Sequence, residues 1–147
     1  TLPLTLFPYT TLFRSPVSMD AAQNRFGVSS EVSSVVLPLG ATVNMDGTAL
    51  FEGVAAVFLA QMFGIALDPI TITTIFLVAM MASIGAPGIP SGSMAGMQLV
   101  LLAIGIPLEA IALLLMIERP LDTFRTAVNV QGDLVGSLVV NKRVTLQ

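Results

Sequence analysis

Long apolar runs alternate with short polar interruptions along this chain, and the interruptions carry most of the information. "EVSSVVLPLGATV" predicts an apolar helix ending near Val43. Gly27 breaks what precedes it, Ser29 or Ser30 can cap it, Glu31 sits in its first turn, and Pro38 bends its middle. "NMDG", residues 44–47, interrupts the run with residues that favour turns, Met45 excepted. "TALFEGVAAVFLAQMFGIAL" then reads as a second helical piece. Asp68–Pro69 is a start signal, a capping acid followed by proline at the first helical position. The apolar "ITITTIFLVAMMASI" runs into "GAPGIPSGSMAG", rich in Gly and Pro, and "MQLVLLAIGI" resumes the helix up to a corner at Gly105 and Pro107. Residues 108–140 would form roughly 50 Å of helix, against a hydrocarbon layer of roughly 30 Å. Pro120 should kink this last helix, and Lys142 and Arg143 follow its end.

Several of these pieces are too short to cross a bilayer alone. They predict broken helices and a re-entrant hairpin whose Gly/Pro tip lies inside the protein, because irregular backbone is tolerated at membrane depth only there or along a cavity. Short, interrupted hydrophobic segments point to a transporter binding site. No internal repeat is visible in the sequence.

Composition agrees with a membrane protein. Of the 147 residues, 54% are hydrophobic and 10% charged, and mean hydropathy is +0.90; a soluble domain carries about a quarter charged residues. A net charge of −3 without a basic cluster argues against nucleic acid. With neither Cys nor His, disulfides, ordinary zinc sites and His-based acid–base catalysis are excluded. An enzyme fits poorly: there is no phosphate-binding loop, and two carboxylates do not define a hydrolase.

The last helix carries a polar stripe. At about 100° per residue, Glu118, Asp122, Arg125, Thr126, Asn129 and Asp133 fall within an arc of about 100°, and Leu121, Phe124, Val128 and Val135 lie on the other side. A charge at mid-membrane costs at least about 2.5–3.5 kcal/mol. The stripe is therefore either a ligand and ion pathway, or a structural ion-pair network or a helix end outside the bilayer. As a pathway, Arg125 offers a fork for a carboxylate, Asp122 a partner for an ammonium group, and Asn129 and Asp133 hard oxygens for a small cation. The break at residues 44–47 exposes carbonyls suited to Na⁺ and adds the Asp46 carboxylate, or is a plain polar kink. The tip around residues 83–91 offers carbonyls at one helix end and N–H groups at the next, or is an ordinary turn. Glu52, inside an apolar run, is a candidate proton carrier or a neutral structural acid. Met80, Met81, Met94, Met97 and Met116 read as packing.

Residues 5–15, "TLFPYTTLFRS", resemble the conceptual translation of a common sequencing-library adapter; the alternative is a genuine N-terminal segment. The adapter reading covers residues 1–15 and predicts that the natural sequence starts near Pro16.

"LPLGATVNMDGTAL" and "LDTFRTAVNVQGD", in this order, resemble the dicarboxylate/amino acid:cation symporters, the family of bacterial and archaeal glutamate and aspartate transporters and of the animal excitatory amino acid transporters. The resemblance covers residues 16–142. It implies an all-α polytopic membrane protein, of which this chain is a C-terminal fragment belonging to an elevator-type transport domain. Residues 16–26 would be the tail of the first re-entrant hairpin, 27–67 broken transmembrane helix 7, 68–104 the second re-entrant hairpin and extracellular gate, and 105–141 transmembrane helix 8. The parent would be a homotrimer in the plasma membrane, as in a bacterial inner membrane. The fragment alone would not transport.

The implied function is secondary symport of aspartate or glutamate driven by Na⁺, with H⁺ as a second candidate coupling ion and no other cofactor. A proton-coupled glutamate or C4-dicarboxylate symporter is the alternative within the family; a channel-like or purely structural membrane fragment is the one outside it. Residue by residue, the resemblance implies that Arg125 binds the substrate side-chain carboxylate, with Thr48 near it, that Asp122 binds the amino group and that Asn129 contacts the backbone carboxylate. Ile89 would cover the substrate from the hairpin tip. Gly40, Asn44, Asn129 and Asp133 would form one Na⁺ site, Asn44 and Asp46 part of a deeper one, and Thr42, Met45, Ser83, Ile84 and Ala86 a third. Glu52 would couple to protons.

Overall fold

The computed structural model describes residues 11–85 and 92–146, and the described residues fold as helices. Helix α1, Thr11–Asp20, passes into a π-helical turn, Ala21–Arg25. Gly27 ends that turn at φ 68°, a left-handed conformation that glycine adopts without strain. Helix α2, Ser30–Val43, is capped by Ser29, whose hydroxyl accepts the Val32 N–H at 3.3 Å. Helix α3, Asp46–Met62, follows directly. Helices α4, Pro69–Gly85, and α5, Gly92–Ala103, are the arms of the hairpin. A short 3₁₀ turn, Leu108–Ala110, leads into α6, Ile111–Thr145, with Pro120 inside it. Lys142 and Arg143 thus lie in the last turn of α6 rather than beyond it, where they complement its C-terminal dipole.

Helices α2 and α3 are two half-helices that share one long neighbour. Both pack along α6, and two separate cores result. Val28, Val32 and Leu37 are buried with Ala22, and Leu134 and Leu138 of α6 pack against them. Below the break, Ala56, Leu59 and Ala60 of α3 meet Ile75 and Ala79 of α4, Met97, Val100 and Leu101 of α5, and Leu114 of α6. The upper core is tied to the end of α6 by Asn141, whose Oδ1 accepts the Ser29 N–H at 3.0 Å and whose Nδ2 donates to the Gly27 carbonyl at 3.5 Å.

The stretch Ser30–Met62 is long and apolar enough to cross a membrane, while Pro69–Ile84 and Gly92–Ala103 are apolar but shorter. Helix α6 is inverted relative to the surface helix of a soluble protein. Glu118, Arg125, Thr126, Asn129 and Asp133 are buried, whereas Leu121, Val128 and Val135 are exposed and Phe124 is 71% exposed. Polar in and apolar out is the arrangement expected where the surroundings are hydrocarbon.

A close backbone approach lies where α3 starts. A Cβ added at Gly47 would overlap the Arg125 carbonyl oxygen and come within 3.0 Å of the Val128 Cβ. Backbone cannot step aside as a side-chain tip can. Gly47→Ala should therefore lower stability by about 1–3 kcal/mol, whereas Gly53→Ala, with nothing within 4 Å of the new methyl, should be neutral or stabilising by up to about 1 kcal/mol. Thermal melts of the two variants in detergent check the contrast.

Asp68 caps α4 as expected, its Oδ1 accepting the Thr71 N–H at 2.7 Å. That bond holds its carboxyl below the ordinary carboxylate range. The cap therefore contributes above the unfolded-state pKa and is lost as pH falls through the lowered folded value. Exchange of the Thr71 amide should be protected at pH 7, faster in Asp68→Ala, and equal in the two proteins once the carboxylate is fully protonated, after correction for the intrinsic rate.

Candidate functional site

The site forms where α2 ends and α3 begins. Asn44 (φ −113°, ψ 75°) and Met45 (φ −107°, ψ 60°) leave helical geometry. The break is narrower than the four-residue interruption at 44–47 suggests, because Asp46 and Gly47 are wound into the first turn of α3, where an acid is favourable. Asn44 N–H still donates to the Gly40 carbonyl at 2.8 Å, and Thr48 and Ala49 N–H both donate to the Met45 carbonyl at 3.0 Å. Gly47 N–H would reach the Val43 carbonyl in an unbroken helix; here it donates to Asn129 Oδ1 at 2.8 Å. The other end of that amide, Asn129 Nδ2, donates to Thr48 Oγ1 at 3.3 Å. One buried side chain of α6 therefore holds both the backbone and a hydroxyl of the restarted helix.

On the α2 side of the break, Asn44 Nδ2 donates to Asp133 Oδ1 at 3.3 Å. Gly40 lies so close to Asp133 that a Cβ there would overlap Oδ1. At Gly132 a Cβ would sit 2.9 Å from Asn44 Nδ2 and 3.0 Å from Asp46 Oδ2. Gly40, Asn44, Asp46, Gly132 and Asp133 line one cavity of about 680 Å³. Its donor set is two carboxylates plus amide and backbone oxygens. Among the described residues no cluster of three Asp, Glu, His or Cys could hold a metal.

Arg125 is buried and sits at the centre of the stripe. Its Nη2 pairs with Asp122 one turn back, and Glu118 Oε1 lies 3.9 Å from the same nitrogen. The Phe51 ring of α3 stacks against the guanidinium, 4.8 Å from centroid to Cζ. Nη1 has no hydrogen-bond partner among the described residues. Arg125 and Phe51 also line an apolar cavity of about 350 Å³ with Leu114 and Ile117.

The remaining predicted residues are placed unevenly. Met45 is buried at the break. Thr42 is exposed, and its hydroxyl donates back to the Leu39 carbonyl at 2.9 Å. Ser83 is buried with its hydroxyl on the Met80 carbonyl at 2.9 Å, and Ile84 is exposed. Ala86 and Ile89 lie outside the described residues. Glu52 is 0% exposed, and neither carboxyl oxygen has a hydrogen-bond partner among the described residues.

The model of the sodium:dicarboxylate symporter family matches residues 13–143. The chain belongs to that family. Among curated relatives, excitatory amino acid transporter 2 of Mus musculus is 49% identical over 125 residues, 85% of this chain and 22% of the relative. Excitatory amino acid transporter 3 of Mus musculus is 46% identical over 127 residues, 86% of this chain and 24% of the relative. An excitatory amino acid transporter of Caenorhabditis elegans is 43% identical over 125 residues, 85% of this chain and 25% of the relative. The chain thus spans no more than a quarter of the length of these relatives.

Some of these contacts are not given by sequence spacing alone. Phe51 gives no signal, being one aromatic in an apolar run. Glu118 stands beside Arg119 in sequence, yet across one helical face it meets Arg125. Gly40, Gly47 and Gly132 matter through what touches them, which spacing does not reveal. Ser137, fully buried one turn beyond Asp133, extends the stripe, and its i+4 position is the signal that could have found it.

Asn129 yields a direct test. Asn129→Leu strands the buried Gly47 N–H and should cost about 1–3 kcal/mol, whereas Asn129→Asp keeps an acceptor and should retain more of the melting temperature. Circular dichroism melts of both variants, in the same detergent, measure the difference.

Proposed function

We propose that this chain is part of the transport domain, residues 16–142, of a secondary symporter that carries aspartate or glutamate across the plasma membrane on a Na⁺ gradient. The observation that carries this reading is the buried face of α6, which sets Arg125, Asp122, Asn129 and Asp133 beside the break between α2 and α3. In this reading 16–26 ends a first re-entrant hairpin, 27–67 is broken transmembrane helix 7, 68–104 the second re-entrant hairpin and gate, and 105–141 transmembrane helix 8. The parent is a homotrimeric elevator, and a bacterial inner membrane is its setting.

The chemistry of the site supports a zwitterion bearing a second carboxylate. Arg125 Nη1 is a buried donor without a partner among the described residues, suited to the side-chain carboxylate of the substrate, with the Thr48 hydroxyl nearby. Asp122, less buried than Arg125, is the partner for the amino group, and Asn129 for the backbone carboxylate. When substrate arrives, Asp122 turns from Arg125 to the ammonium, and the new carboxylate takes its place on the guanidinium. The one charge-assisted contact between Arg125 and Asp122 is exchanged for two, one from each group to the substrate. Ile89 covers the substrate from the hairpin tip.

Family membership supports Na⁺ as the coupling ion. Gly40, Asn44, Asn129 and Asp133 hold one ion, Asn44 and Asp46 contribute to a deeper one, and Thr42, Met45, Ser83, Ile84 and Ala86 hold a third. The burial of Glu52 favours a second reading in which H⁺ is also coupled, with glutamate or a C4-dicarboxylate as cargo. Such a dicarboxylate needs no ammonium partner, and Asp122 speaks against it.

The test is uptake of labelled aspartate by the full-length parent in proteoliposomes, with and without an inward Na⁺ gradient at fixed pH. Accumulation only with the gradient is expected. Arg125→Gln should lower apparent aspartate affinity by roughly 30-fold or more, as expected for loss of a buried bidentate contact. Accumulation indifferent to Na⁺ moves coupling to protons, and absence of aspartate uptake by an active preparation refutes the substrate assignment.

A further inference from the structure

The hairpin arms close over Glu52. This acid projects from α3, and a Cβ built at Gly96 of α5 would overlap its Oε1 and lie 3.0 Å from its Cδ. The same point is 3.3 Å from the Ala82 Cβ of α4. One residue of each arm therefore meets at the end of the Glu52 side chain. Ser93, one turn nearer the tip on the same face of α5, is also buried, and its hydroxyl has no hydrogen-bond partner among the described residues. The charged group facing this pocket from α6 is Arg125, and the polar group from α5 is Ser93; the α4 arm contributes Ala82. A carboxyl is usually easy to displace, being the tip of a flexible chain. Here it is fully buried among the described residues, so a displaced carboxyl meets packed neighbours and not solvent.

We propose that Gly96 is a positioning residue of the gate: by lacking a side chain it provides the socket in which the Glu52 carboxyl lies, and so allows hairpin α4–α5 to seat on α3. The proposal rests on the reading of this hairpin as the gate and deepens it. Seating of the hairpin then depends on the length of the side chain at position 52. An added methyl at Gly96 pushes the carboxyl against Ala82 and lifts the hairpin, so substrate escapes more readily. A shorter acid restores the fit without removing the carboxyl.

The experiment uses the full-length parent carrying Gly96→Ala, Glu52→Asp, Glu52→Gln, and the doubles of Gly96→Ala with each. Two readouts are taken: melting temperature in detergent and aspartate KM with maximal rate in proteoliposomes. Gly96→Ala should lower the melting temperature and raise KM on the order of tenfold, with a smaller change in maximal rate. Adding Glu52→Asp should return both readouts most of the way; adding Glu52→Gln, which keeps the length, should not. If Gly96→Ala fails to fold, recovery of a folded protein by Glu52→Asp and not by Glu52→Gln supports the socket. A Gly96→Ala protein with unchanged melting temperature and KM overturns it, as does a defect that Glu52→Asp leaves in place. If the parent takes up no aspartate, the function proposed above fails, and the melting series still decides the socket.

Discussion

A helix that stops and restarts at membrane depth must place its loose amides, since water is not there to take them. In this chain the Asn129 side chain takes the Gly47 N–H on its carbonyl, and its amide donates to the Thr48 hydroxyl. Everything else in the site follows from this tie. It fixes the rotation of α3 relative to α6, which brings Phe51 over Arg125. It also leaves α2 free to lay Asn44 and Gly40 against Asp133 on the other side of the break. The close approach at Gly47 is the steric counterpart of the same tie, for a bulkier residue would hold the two helices too far apart for the amide to reach.

The long helix α6 acts as the common wall of two smaller assemblies. Its first half completes the core of α3, α4 and α5, and its second half completes that of α2 and the π-helical turn. Its buried charged residues, Glu118, Arg125 and Asp133, lie between the two cores. Neither core needs those residues for apolar packing, so the junction is free to hold polar chemistry, while the apolar cores on either side keep it positioned. Covering the outward face with Phe124, Val128 and Val135 suits a hydrocarbon surround.

Much of this was legible in the sequence because polar residues are expensive in an apolar chain, and their spacing is then informative. The arc holding Glu118 through Asp133 follows from helical periodicity alone, and five of its six members are buried while Asp122 is partly so. The break was legible from "NMDG" for the same reason, though Asp46 and Gly47 proved helical, since a helix start tolerates both. What spacing does not carry is the placement of one side chain or one helix against another. The ring of Phe51 over Arg125 and the glycines pressed against Asp133, Arg125 and Glu52 all belong to that level. A glycine in an apolar run reads as a weak helix former until its neighbour is known.

The pairing of Arg125 with Asp122 bears on the half of the cycle in which nothing is carried. Moving a lone ion through a medium of low permittivity costs far more than moving a compact dipole, because the field of a dipole falls off faster and polarises less of its surroundings. In the proposed elevator, an empty site whose two principal charges clasp each other returns as such a dipole. With cargo bound, the same two groups clasp the ends of the amino acid instead. Either way, in that reading, the fields of these two groups stay closed on a partner, and neither crosses as a lone ion.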